Sequence, residues 1–172
     1  MHGVLVKSAF FLLPLVLCGC VGMNARQTAS YDRFTDTKIN ATESNTLPNH
    51  FPEQFDITLD MRQQIQGGVT NYFLTVGCVS ASGVKFFPAI GQSLFVLADD
   101  SRYAFQIGAM PQSGAFANFH FYPASEDQIR HIASAKSVEV RLVSITGKNW
   151  ERKLAEKNLS VFRGFLEKYL PQ

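Results

Sequence analysis

Cysteine, net charge and long apolar runs are all scarce in this chain, and each shortage excludes something. It has 3 Cys in 172 residues, too few for the disulfide-dense scaffolds that stabilise many small secreted domains. Net charge is only +2, from 16 Lys+Arg against 14 Asp+Glu. Bulk charge therefore points to neither a nucleic acid nor an acidic polymer as partner. The N-terminal apolar run, Ala9 to Leu17, is nine residues long and contains Pro14, well short of the ~20 residues of a membrane-spanning helix. No Gly-x-Ser-x-Gly elbow and no phosphate-binding glycine loop occur, so the commonest local signatures of serine hydrolases and nucleotide sites are missing.

What is plentiful is core material. The chain is 46% hydrophobic and 12% aromatic, with 15 Phe, which argues for a packed domain and against disorder. The length suits one domain. Charge is unevenly spread: residues 20–127 hold 6 Lys+Arg and 10 Asp+Glu, residues 128–172 hold 9 and 4. The basic C-terminal part reads as a solvated surface, with a contact to anionic lipid or another envelope polymer as the alternative.

The N-terminus has an address. Lys7 and the amino group precede the apolar run, as in a secretory signal. The run ends in Leu17-Cys18-Gly19-Cys20. This resembles the lipobox of bacterial lipoprotein signal peptides, with Leu17 at −3, Gly19 at −1 and Cys20 at +1; Cys18 at −2 departs from the usual Ala, Ser or Thr. The resemblance covers about the first 22 residues. It implies a signal peptide over 1–19, cleavage before Cys20, lipidation of Cys20 and attachment to the membrane. Val21 at +2 is not Asp, which implies outer-membrane sorting on the periplasmic side. One acyl chain holds only marginally, and two or three anchor stably. The other reading is an ordinary cleaved signal with an incidental Cys.

Cys78 then has no disulfide partner in the mature chain, and is expected to pack as a small buried hydrophobe. Residues 20–30 read as a polar tether, and 31–172 as a single α+β domain. "RFTDTKINAT", residues 33 to 42, has the character of a first, partly exposed strand. Phe55, Ile57, Leu59 and Met61 alternate with Asp56, Thr58, Asp60 and Arg62, the pattern of a half-buried strand. Thr70 to Ser80 is rich in aromatic and β-branched residues. Leu94–Ala98 and Tyr103–Ile107 flank an Asp99-Asp100-Ser101 turn. Ala115 to Pro123 alternates again.

The period then changes. Ser125-Glu126-Asp127-Gln128 is a capping box opening a helix over about 125–136. Val138–Ile145 and Trp150–Leu154 form a hairpin around Gly147. A second helix, about 158–170, carries Leu159, Phe162 and Phe165 on one stripe, with Asn158 as expected N-cap. The order predicts an antiparallel β-sheet or sandwich-like domain with two helices. The region from "VEVRLVSITGKN" to "LSVFRGFLEKYL" loosely resembles uncharacterised bacterial envelope proteins, which implies no activity.

Chemistry is sparse. Ser82-Gly83-Val84-Lys85 matches the Ser-x-x-Lys of penicillin-recognising enzymes, but no companion motif accompanies it. His50, His120 and His131 lack metal spacing and read as surface or boundary residues. Asp56 and Asp60 share a strand face about 13 Å apart, beyond the roughly 5–9.5 Å of paired glycosidase carboxylates. Asp99 and Asp100 read as turn residues, with a weak cation contact as the alternative. Asn40-Ala41-Thr42 and Asn158-Leu159-Ser160 are incidental glycosylation sequons. Phe73, Phe86, Phe87, Phe95, Phe105, Phe119 and Phe121 fit either core packing or the lining of an apolar cavity.

The expectation is a non-enzymatic lipoprotein, an interaction or accessory protein of the cell envelope. It would need no cofactor, no metal and no nucleic acid, and its partners would be the membrane and an envelope protein. A lipid-binding lipoprotein and a small hydrolase built from distant residues are the alternatives.

Overall fold

The structure, a computed structural model, describes residues 25–48, 56–80, 86–108, 112–113 and 117–171. The described residues form an α+β domain with two antiparallel sheets and two helices around one core.

The first sheet contains β1 (Arg26–Asp32), β2 (Thr37–Glu43), β3 (Asp56–Gln66), β4 (Val69–Val79), β7 (Gln112–Ser113) and β8 (Ala117–Ala124), in the order β1-β2-β3-β4-β8-β7. The second contains β5 (Gln92–Ala98), β6 (Ser101–Gln106), β9 (Val138–Val143) and β10 (Asn149–Lys153), in the order β10-β9-β5-β6. Every pairing is antiparallel and most neighbours are joined by short turns. Gln66 pairs with Val69 across Gly67 and Gly68, which adopt φ of 55° and 78°. Positive φ at both central residues is what a two-residue hairpin loop of the primed type requires.

β1 begins at Arg26, inside the 20–30 segment read as tether, so residues 26–30 belong to the sheet. Its partner β2 starts at Thr37, because residues 33–36 form the turn between them rather than strand. β3 also differs from its reading. It is buried on both faces from Ile57 to Met61, polar Thr58 and Asp60 included, rather than half-buried.

Helix α1 (Glu126–Ser134) starts as its sequence dictates. The Ser125 hydroxyl accepts from the Gln128 amide at 3.1 Å, and the Gln128 side chain accepts from the Ser125 amide at 2.8 Å. Ile129, Ile132 and Ala133 face the core. Helix α2 (Glu156–Tyr169) begins two residues before the expected start, with Ala155 at the N-cap. Asn158 is therefore the third helical residue. Its Oδ1 accepts from the Ala155 amide at 3.1 Å, while its Nδ2 donates to Asn45 Oδ1 and the Thr46 carbonyl, both at 2.8 Å. One amide thus satisfies a helix start and ties it to the chain beyond β2.

The core takes residues from every layer: Leu59, Met61 and Leu74 from the first sheet, Leu94 and Leu142 from the second, and Phe162 and Phe165 from α2. Each such side chain is worth roughly 1.5–3 kcal/mol of burial. The two ends of the domain meet here. α2 lies against β1 and β2, and the Tyr169 hydroxyl donates to the Thr28 carbonyl at 3.2 Å.

Candidate functional site

The second sheet alternates beyond a register shift between Gln92 and Leu94. Val96, Val140, Leu142 and Trp150 point into the core, and the intervening residues form an open face. Strand register places that face in two cross-strand rows. Ala104, Phe95, Arg141 and Glu151 make one, and Arg102, Leu97, Glu139 and Lys153 make the other. The face carries an open, concave pocket of about 660 Å³. Phe95 and Leu97 give it an apolar centre. Arg141–Glu151 at 2.6 Å and Lys153–Glu139 at 3.5 Å line one side, and Arg102 stands on the other. Exposed pairs like these contribute little stability. They supply fixed charges of both signs beside an apolar strip, the chemistry of a recognition surface with a polar rim.

A second constellation is internal. Cys78 on β4 stands opposite Asn118 on β8, and His120 follows two residues later on the same strand face. All three are buried around the backbone of Phe86. The Asn118 side-chain amide donates to the Phe86 carbonyl, and His120 Nε2 lies 3.1 Å from that oxygen and 2.7 Å from Asn118 Nδ2. A thiol, an imidazole and an amide are the side chains of a thiol hydrolase, which needs a thiolate and an accessible nucleophile. Here burial pushes the Cys78 thiol up and the His120 imidazole down, favouring the neutral form of both. Cys78 and His120 are each 1% exposed. The cluster fixes the approach of Phe86 to the sheet, and Phe86 in turn packs edge-on against Trp150 at 5.1 Å.

Asp60 is a third unusual group. Its carboxylate accepts from the Thr42 hydroxyl at 3.0 Å and the Asn45 amide at 3.1 Å. These donors flank Ser44, which has φ of 61°. The carboxylate thus fills an irregularity between β2 and β3. Burial raises its pKa to about 6, against the opposing pull of the Asn45 amide and the Thr42 and Thr58 hydroxyls.

The sequence candidates separate accordingly. Cys20, His50 and Ser82–Lys85 lie outside the described residues. Cys78 is a buried thiol outside any disulfide among the described residues, as expected. His120 is a core residue rather than a surface or boundary one. His131 is partly exposed on α1 and hydrogen-bonds the Tyr103 hydroxyl at 2.6 Å. Asp56 is exposed and Asp60 buried, so they share no site. The Asp99 carboxylate accepts from the Lys136 and Ser137 amides, locking the β5–β6 turn to the exit of α1. Asn40 and Asn158 are each 2% exposed, buried beyond reach of glycosylation.

The seven phenylalanines line no common cavity. Phe86 and Phe105 are core residues. Phe73, Phe119 and Phe121 lie on the opposite face of the first sheet, Phe95 is on the open face of the second, and Phe87 is exposed. Comparison with protein-family models, curated proteins and solved structures returned no match. The two rows on the open face escaped sequence reasoning because register across four strands decides which residues are neighbours; alternation along each strand was the available signal.

Proposed function

We propose that this protein is a non-enzymatic lipoprotein, held on the periplasmic side of the outer membrane by lipid on Cys20, that acts as an interaction or accessory protein of the cell envelope. The lipobox motivates the location. The observation that carries the interaction role is the open, concave face of the second sheet. An envelope protein segment laid across it would cover Phe95 and Leu97 and meet charges of both signs at the rim. The lipid-binding reading has less support, because the phenylalanines that would line a cavity sit on separate surfaces.

Two experiments test the two halves. Cys20→Ala is expected to abolish membrane retention and normal processing; a variant still membrane-bound and correctly cut refutes the anchor. A photo-crosslinking amino acid at Ala104, on the open face, is expected to capture a discrete envelope protein in cells. The same probe at exposed Asp32, in β1, supplies the comparison. Identical adducts at both positions, or none at Ala104, refute the face as the docking surface.

A further inference from the structure

Three large apolar side chains stand in solvent on one rim of the domain: Phe87 at 50% exposure, Ile90 at 98% and Ile145 at 63%. They are held together by backbone. The Ile145 amide donates to the Phe87 carbonyl at 3.0 Å, Pro88 bridges Ser144, and the Ala89 amide donates to the Val143 carbonyl at 2.8 Å. Lys148 stands in the same β9–β10 turn, its ammonium 4.9 Å from the centre of the Trp150 ring.

The place of this rim is informative. Antiparallel register points the start of β1, the end of β2, the start of β3, the end of β4 and the start of β8 toward the same end of the first sheet, with Arg26 in the row of Glu43, Thr75 and Phe121, four residues or about 13 Å short of Ala117. Phe86, immediately before the rim, is fastened to Asn118 at that same end. Cys20 precedes Arg26 by six residues, so it can lie at most about 21 Å from the start of β1. β1 and β8 are four strand spacings apart, about 19 Å. The reach of the chain before Arg26 exceeds the offset of about 13 Å along the strands, so one plane can touch both the lipid on Cys20 and the apolar rim. The other exposed large apolar residues among those described, Tyr31, Phe34 and Val69, lie at the opposite end.

We infer that Phe87, Ile90 and Ile145 form a second membrane contact, seated in the interface of the bilayer that holds the lipid anchor, with Lys148 toward anionic headgroups. The inference rests on the lipoprotein reading above. The occupant is lipid because the chain outside the structure carries the lipidation signal and enters at this end. Apolar side chains beside a cation suit an anionic interface. Anchor and rim together fix the orientation of the domain, so the Phe34 tip points away from the membrane.

The test uses the full-chain protein purified from membranes and placed in vesicles of three parts phosphatidylethanolamine to one part phosphatidylglycerol. An environment-sensitive fluorophore is attached to Thr146→Cys, beside the rim, or to Thr35→Cys, at the far end; buried Cys78 is protected from labelling. The expected result is a blue shift and a several-fold rise in emission at position 146 and neither at 35. Each of Ile90→Asp and Ile145→Asp should weaken the contact at least about tenfold. The mass of the Cys20 peptide and flotation with vesicles report the anchor separately. A protein that is acylated and floats while the 146 probe stays in water overturns the rim contact alone. An unmodified Cys20 overturns the anchor, and the 146 probe on added vesicles then still decides the rim. Equal shifts at 146 and 35 overturn it as well.

Discussion

Replacing Asp60 with Asn removes a charge that the folded state holds against its preference. The carboxyl is 6% exposed, and its pKa is about 6 against an ordinary 3.8. A raised pKa means that the folded protein binds the proton more tightly than the unfolded chain. The associated stability is fully present below the unfolded value and is lost as pH rises through about 6. A shift of about two units corresponds to about 3 kcal/mol, of which about 2 kcal/mol falls between about pH 4.5 and 7.5. Asn keeps an Oδ1 to accept from Thr42 and Asn45 and never ionises. The stability of Asp60→Asn minus that of wild type should therefore rise by about 2 kcal/mol across that range. His120 acts in the opposite sense. Burial lowers its pKa, so its contribution is present above the unfolded value and is lost as pH falls. It is common to both proteins and cancels in the difference. Urea unfolding followed by the single Trp, Trp150, gives both curves at each pH. A difference that stays flat with pH, or falls as pH rises, refutes the account.

A Cβ at Gly77 would stand 2.5 Å from Thr58 Oγ1 and 2.9 Å from the Phe119 ring. Gly77→Ala should therefore cost about 1–3 kcal/mol, read as a lower calorimetric Tm; an unchanged Tm would show that the neighbours yield freely. Asn158→Ala strands Asn45 and the Ala155 amide, and should cost about 2–4 kcal/mol at this buried site. A double-mutant cycle with Asn45→Ala should give a coupling above about 0.5 kcal/mol, and strict additivity would count against the link.

Legibility followed the range of the interactions. The capping box at Ser125 and the turn at Asp99 are set by residues a few positions apart, and both stand where the sequence puts them. β1 was hidden because it is an exposed edge strand whose residues carry no alternating burial. β3 misled because polar Thr58 and Asp60 alternate with Ile57 and Leu59 as if they faced water, although both are buried. His120 looked like a boundary residue because its partners, Phe86 and Asn118, are assembled by the β4–β8 pairing and a connection from elsewhere in the chain. Asn158 is a residue type favoured at N-caps; a partner 113 residues away settles its different role. The open face and the apolar rim depend on inter-strand register, which a single strand does not encode.

The contact between α2 and β1 also sets an order of assembly. Thr28 and Tyr169 are 141 residues apart, so the first strand acquires its cover only when the last helix exists. β1 and β2 can pair as soon as both have emerged, since the turn between them is four residues long. The surface they offer to α2 stays bare until Glu156–Tyr169 has been made, the kind of interval in which long-range contacts lag behind local ones. A chain halted before Glu156 holds the hairpin and nothing to close over it.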